Sequence, residues 1–308
     1  MNKRQKDILA QLSGISSARK VRAAGGLTKI TAIFTVFFQL FSALLFETPR
    51  DPNGQDLNLD SRFELVWADE FDQGALDYNY WGGHYIWGID GGYQRDTSYW
   101  NMDQVSFDDD NLILTVEKRD GGPSETGYYS TGIDTNPDHQ FFPESTGYEQ
   151  TRGYFEVRCI LPKGAGLNPA FWLIGEGMFT DVTSGVTGCE IDVFETKTDQ
   201  NKDKKWIGSV YHTVHYGSYE EFHKQEVQGW FYANDPYEEY NTYGLEWSED
   251  SYIFYINGVE TARTNFGGIC EAPLYLILSV GVDEHVFDNT DLPSQFIVDY
   301  VRAYQYKS

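Results

Sequence analysis

Cysteine and methionine are scarce in this 308-residue chain, which has three of each. The cysteines lie far apart in the sequence, so the paired spacing of a zinc site is missing. The chain also lacks an internal repeat, a glycine-rich nucleotide-binding loop and a long stretch of helical periodicity. These absences exclude zinc modules, repeat arrays and nucleotide-binding domains.

The odd number of cysteines leaves at least one thiol unpaired within the chain. By strand alternation, Cys159 lies on the face of Phe155 and Val157, and Cys189 lies on the face opposite Glu190. Both thiols are therefore expected in a core. We expect buried free thiols, and a Cys159–Cys189 disulfide is the alternative.

Basic residues are also scarce, with 23 Lys and Arg against 47 Asp and Glu, which gives a net charge of −24. Residues 1–50 contain eight basic and two acidic residues, so the remaining chain carries a charge of −30. Such an acidic domain repels phosphate backbones, which excludes nucleic acid as a partner. Heavily sulfated polysaccharides are disfavoured for the same reason.

The N-terminal part of the chain has the pattern of an export signal. Residues 1–29 are basic, and residues 30–46 form a run of 17 mostly apolar residues that predicts an N-terminal hydrophobic helix. This length is at the lower limit for a membrane span and slightly above a signal-peptide core. The basic flank places residues 63–308 outside the cell. We favour an uncleaved signal anchor, which would tether the protein to the membrane, over a cleaved signal peptide, with residues 47–62 as a linker.

From residue 63 onward the sequence predicts short strands separated by turns. Residues 153–161 alternate cleanly, with Phe155 and Val157 on one face, and Tyr252–Ile256 is followed by the hairpin signal Asn257-Gly258. Further predicted strands are 112–117, 170–174, 207–216, 243–247, 274–282 and 296–304. This pattern favours one all-β domain over 63–308, built from two stacked antiparallel sheets.

One acidic strand stands out because of its phase. Glu190 and Asp192 point to the same side of a strand, but Glu195 would point to the other. A β-bulge around Val193-Phe194 would return Glu195 to the side of the first two acids and leave Ile191 and one of these two apolar residues for the core. Three carboxylates on one face suit a catalytic site, and a solvated acidic strand is the alternative.

The segment Glu190-Ile191-Asp192-Val193-Phe194-Glu195 resembles the bulged E-x-D-x-x-E motif of glycoside hydrolase family 16, in the form found in laminarinases, agarases and carrageenases. Other segments resemble the same family in the expected order: 65–71, 153–158, 161–164, 169–172, 243–247 and 298–304. The resemblance extends from about residue 63 to the end of the chain.

This resemblance implies a β-jelly-roll sandwich with a concave substrate cleft, and an endo-acting hydrolase that retains the anomeric configuration. By resemblance, Glu190 is the nucleophile and Glu195 the acid/base. Asp192, between them, is expected to keep Glu195 protonated through its charge. The expected partner is a polysaccharide, no cofactor is needed for catalysis, and a structural Ca²⁺ near Asp299 is implied. We expect a monomer.

Several other residues match sugar-contacting positions of the family. Glu156 and Arg158 are expected on a strand next to the acids, with an ion pair between them as the alternative role. His215 and Tyr211 share a strand face and are expected in the cleft, with a core or rim histidine as the alternative, whereas His212 points the other way. Asn101 resembles a cleft residue. Candidate stacking surfaces are Trp172 first, then Trp247, Trp100 and Trp87.

The substrate is less defined than the reaction. Laminarinases usually have Trp where this chain has Asn168, and another Trp in the segment that is 184–189 here. We therefore predict cleavage of β-1,3- or mixed-linkage β-1,3-1,4-glucan. The alternatives are an agarase or galactanase, a transglycosylase, and a glucan-binding protein without activity, which the three retained acids disfavour.

Overall fold

The computed structural model describes residues 57–83, 92–95, 97–108, 110–137, 145–181, 183–196, 208–219, 221–283 and 292–308. The basic segment 1–29, the hydrophobic segment 30–46, most of the linker and Trp87 lie outside these residues. Within the described parts, no helix combines the length and the apolar character that crossing a membrane requires.

The described chain is almost entirely β-structure. Its strands are β1 (Phe63–Asp69), β2 (Tyr93–Arg95), β3 (Ser98–Trp100), β4 (Val105–Asp108), β5 (Asn111–Lys118), β6 (Tyr128–Asp134), β7 (Glu149–Gln150), β8 (Gly153–Ile160), β9 (Leu167–Ile174), β10 (Glu190–Glu195), β11 (Ser209–Tyr216), β12 (Lys224–Tyr232), β13 (Asn241–Trp247), β14 (Tyr252–Ile256), β15 (Val259–Thr264), β16 (Leu274–Val282) and β17 (Ser294–Tyr306). Two four-residue helices, α1 (Leu59–Arg62) and α2 (Gly177–Thr180), and one 3₁₀ turn (Met102–Gln104) complete the described elements.

The strands form two facing sheets. In the front sheet the order is β12, β11, β10, β9 and β16, with β6 and β7 beside β16. In the back sheet β17 pairs with β8 on one side and with β5 and β1 on the other, and β8 continues to β13, β14 and β15. These pairings are antiparallel, and only β3 and β6 pair in parallel among the described strands. The sandwich predicted from the sequence is confirmed.

The core lies between the two sheets. Phe155, Val157 and Cys159 of β8 are buried there, as the alternation predicted, and they face Phe171 and Phe194 from the front sheet. Burying one such large apolar side chain contributes about 1.5–3 kcal/mol. Because the inward positions of the front sheet fill this core, its remaining positions point to the opposite face, and that face carries the acids.

The three cysteines are buried free thiols, so the predicted thiol state is confirmed and the alternative Cys159–Cys189 disulfide is not formed. Residues 57–62, at the described end of the predicted linker, contact the domain. Arg62 of α1 forms an ion pair with Glu246 (Nη1 to Oε1, 2.9 Å), and Leu59 packs against the back sheet. The chain is therefore anchored before residue 63.

Candidate active site

Strand β10 has the predicted β-bulge. Asp192 pairs with Thr213 and Glu195 with Tyr211, so three steps along β10 match two steps along β11. The same shift occurs against β9 between Asp192 and Phe194. Val193 and Phe194 are both fully buried in the core, whereas the sequence analysis expected only one of them there. The bulge provides room for both.

The bulge places Glu190, Asp192 and Glu195 on the face of the front sheet that points away from the core. Asp192 lies opposite Trp172 on β9 and Thr213 on β11. Thr213 Oγ1 is 3.5 Å from Glu195 Oε2. The phase argument from the sequence is therefore confirmed by the strand register.

Glu190 lies in a poorly solvated position, with only 8% of its surface exposed. Burial, followed by the nearby Asp192 carboxylate, raises the pKa of Glu190 to about 8, while His215 and a hydrogen bond from Tyr219 oppose this rise. The ionised form that nucleophilic attack requires therefore depends on these two neighbours.

Asp192 is buried more deeply, and burial raises its pKa to about 8. Its side chain is hydrogen-bonded to Glu195. Two carboxyl groups can share a hydrogen bond only if one of them carries a proton. The Asp192–Glu195 pair therefore shares a proton, and because the hydrogen bond lowers the pKa of Asp192, it favours the proton on Glu195.

His215 and Tyr211 are both at the site, as predicted. His215 pairs with Glu190 across the strands, and its Nε2 is 2.9 Å from Asp192 Oδ2 and 3.7 Å from Glu190 Oε1. Tyr211 pairs with Glu195, and its ring packs on Trp230 at 4.5 Å. His212 points the other way, into the core, where its Nε2 is 2.8 Å from Thr261 Oγ1 and burial lowers its pKa to about 4.

Two residues of the site were missed in the sequence. The Tyr219 hydroxyl donates a hydrogen bond to Glu190 Oε2. His223 stacks on His215 with ring centroids 5.1 Å apart, and its Nε2 is 2.9 Å from His215 Nδ1. Both follow Gly217, where the strand alternation ends, so periodicity could not assign them a direction. The signal available was two hydrogen-bonding aromatic residues shortly after a strand that carries a predicted site histidine.

The predicted tryptophan surfaces differ in their positions. Trp172 is on the acid face, packs near Trp100 and donates from Nε1 to Ser279 Oγ (3.1 Å). Trp172 and Trp100 are each 5% exposed, so they contribute to the wall of the site and do not present an open ring face to a sugar. Trp247 is fully buried in the core, so its predicted stacking role is wrong. Asn101 follows Trp100 and donates from Nδ2 to Asp103 Oδ2 (3.1 Å).

Glu156 and Arg158 are not brought to the acids. Their strand β8 belongs to the back sheet and pairs with β13 and β17, so the prediction that it neighbours β10 is wrong. Both side chains point away from the core. Glu156 accepts hydrogen bonds from Tyr154 (2.7 Å) and Tyr300 (2.8 Å), and Arg158 pairs with Asp299. Strand alternation correctly predicted that Glu156 and Arg158 share a face, but it could not predict which sheet contains β8.

Asp299 is not arranged as a calcium ligand in this structure. Its Oδ2 forms an ion pair with the Arg158 guanidinium, which also lies over the Tyr240 ring at 4.3 Å. A carboxylate neutralised by a guanidinium is a poor ligand for a second cation. In the described part of the chain, one group of three side chains could hold a metal, and it consists of Glu190, Asp192 and His215 of the acid site itself.

Comparison with known proteins agrees with this geometry. Residues 92–267, more than half of the chain, match the model of glycosyl hydrolases family 16. The chain belongs to this family. The resemblance seen in the sequence is therefore confirmed, and family membership makes the chain a glycoside hydrolase whose class needs no cofactor for catalysis.

Curated relatives in the family have different substrates in their names. The chain is 28% identical over 262 residues to keratan-sulfate endo-1,4-beta-galactosidase of Sphingobacterium multivorum, which covers 79% of the chain and 55% of that protein. It is also 28% identical over 300 residues to glucan endo-1,3-beta-glucosidase A1 of Niallia circulans. This match covers 84% of the present chain and 39% of that relative. The match thus spans about half or less of either relative.

Solved structures of the family share the fold. The laminarinase catalytic domain of Thermotoga maritima superposes with a TM-score of 0.62 at 24% identity, over 80% of this chain and 99% of that one. A variant of SCLam, a non-specific endo-beta-1,3(4)-glucanase, gives a TM-score of 0.61 at 27% identity, over 79% of this chain and 95% of that one. The jelly-roll architecture expected from the resemblance is therefore confirmed.

Proposed function

We propose that the protein is an endo-acting hydrolase of β-1,3- or mixed-linkage β-1,3-1,4-glucan that works by retaining double displacement. The observation that carries the proposal is the bulge in β10, which brings Glu190, Asp192 and Glu195 to one face of the front sheet. Two carboxyl groups with different proton occupancy, on either side of a glycosidic bond, are what this chemistry requires. The relatives and solved neighbours named for β-1,3-glucans support the substrate class.

In the first step the ionised Glu190 attacks the anomeric carbon, the glycosidic C–O bond breaks, and Glu195 gives its proton to the leaving oxygen. The Tyr219 hydroxyl and His215 favour the ionised nucleophile, because both oppose the rise of its pKa. Asp192 positions the proton through its hydrogen bond with Glu195.

In the second step Glu195, now ionised, takes a proton from water, and the resulting hydroxide displaces Glu190 from the sugar. The proton taken from water restores the proton that the Asp192–Glu195 pair held before the first step, and the cycle closes. Each displacement inverts the anomeric carbon, so the product retains the configuration of the substrate. Sugar in place of water would give transglycosylation by the same two steps.

The test is reducing-sugar release by the full chain from laminarin, lichenan, barley β-glucan and agarose, with Glu190→Gln as the matched variant. We expect release from the glucans, and a fall of about 10³-fold or more in kcat/KM for the variant because the nucleophile is lost. Retained configuration would appear as the β-anomer in the first NMR spectra. The absence of release from every polymer, with binding retained, would overturn the hydrolase proposal in favour of a glucan-binding protein.

A galactan is the second candidate substrate, and two observations favour it. Asn168, at the position where laminarinases usually have Trp, pairs with Gly281 on β16, so neither of these two positions contributes a ring of its own to the wall. A named galactosidase is also among the relatives. The net charge of −24 favours a neutral, agar-like chain over a sulfated one. Agarose in the substrate series separates this candidate from the glucans.

We also propose that the catalytic domain acts as a monomer outside the cell, tethered by residues 30–46 if these are not removed. The basic flank and the apolar run support export. Fractionation of the producing cells tests the export, and N-terminal sequencing of the mature protein tests whether residues 30–46 are retained. A cytoplasmic, uncleaved protein would contradict the export proposal.

A further inference from the structure

Two of the three buried thiols lie together directly behind the nucleophile. Cys189, the residue before Glu190, is 1% exposed, and Cys270 is fully buried. The two thiols lie close enough to shift each other's pKa, upward for Cys189 and downward for Cys270. Cys159, in contrast, lies on β8 of the back sheet and serves as an internal comparison.

Backbone hydrogen bonds already connect the two segments that contain these thiols. The Gly185 amide donates to the Gly267 carbonyl (2.8 Å), and the Glu271 amide donates to the Val186 carbonyl (2.8 Å). The Tyr252 hydroxyl connects the same two segments, because it accepts from the Cys270 amide (2.7 Å) and is 3.8 Å from Cys189 Sγ. A covalent bond between the sulfurs would therefore link segments that are held in contact, with little movement of the backbone.

We propose that Cys189 and Cys270 are a disulfide-forming pair that clamps the start of β10 to the segment before β16. In the presence of a small-molecule disulfide, the Cys270 thiolate attacks one sulfur of the oxidant, which forms a mixed disulfide and releases one thiol. The Cys189 thiolate then displaces the second thiol and forms the Cys189–Cys270 bond. Two protein thiols are oxidised and one oxidant disulfide is reduced, so the reaction balances.

The order of attack follows from the surroundings of the two sulfurs. The neighbouring Cys189 thiol lowers the pKa of Cys270, whereas the Cys270 thiol and, after it, burial raise the pKa of Cys189. Cys270 is therefore the better first nucleophile. The closed loop would run from residue 189 to 270, and cross-links over long loops constrain the unfolded chain strongly. The clamp would act on the residue next to Glu190.

The experiment refolds the full chain either with a phosphine reductant or with oxidised glutathione, and then alkylates the remaining thiols. We expect one alkylated thiol after oxidative refolding, against three after reductive refolding, and a peptide pair that joins Cys189 to Cys270 by mass spectrometry. The oxidised protein should melt roughly 5–10 °C higher and lose its activity more slowly on heating. Both gains should be absent in Cys270→Ala and retained in Cys159→Ala.

Three free thiols after oxidative refolding would overturn the proposal, as would stable glutathione adducts on both cysteines or a linked peptide that contains Cys159. If Cys270→Ala does not fold, the peptide map of the unaltered chain decides alone. The thiol counts, the peptide map and the melting temperature do not depend on the polysaccharide that the enzyme cleaves.

Discussion

The nucleophile is tuned by residues outside its own strand. Burial favours the protonated form of Glu190, and the Tyr219 hydroxyl opposes this by donating a hydrogen bond to Oε2. His223 has an indirect position, because it contacts His215 and not the acids. The ionisation of Glu190 thus depends on the short segment after β11 that carries Tyr219 and His223.

Replacing Tyr219 with Phe removes the donor and leaves the ring. We expect kcat/KM at pH 5–6 to fall by about 10–100-fold, because a hydrogen bond to a charged group is worth about 1.5–3 kcal/mol. The pKa of Glu190 rises when the donor is lost, so the acidic limb of the pH profile should move to higher pH. Tyr216→Phe, whose ring packs on Phe266 at 5.4 Å, is the control. An unchanged pH profile would show that Tyr219 only packs.

Asp192 gives a prediction about stability. Its pKa is raised to about 8 in the folded state by burial, so the folded protein holds a proton that the unfolded chain releases near pH 4. The contribution of Asp192 is fully favourable below pH 4 and is lost as the pH rises toward 8. Asp192→Asn should therefore melt a few degrees above the unaltered protein at pH 8, with a difference that shrinks toward pH 4, while activity falls. Melting curves from pH 4 to 8 test this, and a difference that grows toward low pH would contradict it.

At the scale of the strand, the bulge adds one residue without changing the register of Glu195. Without Val193, the segment Glu190-Ile191-Asp192-Phe194-Glu195 would alternate regularly, and Glu195 would still pair with Tyr211. Deleting Val193 therefore preserves both the face and the partner of Glu195. One residue inserted at the bulge also permits regular alternation, but it moves Glu195 two residues along β11, to the position opposite Ser209.

We expect the Val193 deletion to keep measurable activity and to lower the Tm, because a fully buried side chain and the hydrogen bond between the Val193 carbonyl and His212 Nδ1 (2.5 Å) are lost. One alanine inserted after Val193 should reduce activity by about 10³-fold or more, since Glu195 then lies two residues, about 7 Å, farther along β11 from the other acids. Both variants need circular dichroism spectra to confirm the fold. Equal loss of activity in the two folded variants would contradict the argument from the register of Glu195.

The strands could largely be predicted from the sequence, and their partners could not. The prediction for Tyr252–Ile256 agrees with β14 at both ends, and the alternation of β8 gave the correct inward face. Alternation depends only on neighbours along the chain, so it could not show that β8 lies in the back sheet, and Glu156 was misplaced. The acids were found because their motif includes the bulge, whereas Tyr219 lies where no local period applies.

At the scale of the molecule, charge restricts the substrate. With a net charge of −24, the protein repels polyanions, and this repulsion extends about 30 Å at 0.01 M salt but about 8 Å at 0.15 M. A neutral polysaccharide experiences neither the repulsion nor its screening. The electrostatic repulsion should therefore separate two polysaccharides that have the same linkage but differ in charge.

Unmodified and carboxymethylated β-1,3-glucan provide that comparison. Between 0.01 and 0.2 M salt, we expect kcat/KM on the carboxymethylated chain to rise several-fold, and kcat/KM on the neutral chain to stay within about twofold. Initial rates at constant pH measure both. A fall on the carboxymethylated chain with rising salt would show that a local basic surface attracts it.

The pairing of β1 with β17 has a mechanical consequence. Phe63, at the start of β1, lies opposite Tyr306, near the end of β17. A force that pulls these two ends apart would act across the strand pair at one end and open its hydrogen bonds one after another, as a zipper opens. Such a geometry gives way at low force, and the first break would detach β1 while β10, on the other sheet, still holds the three acids.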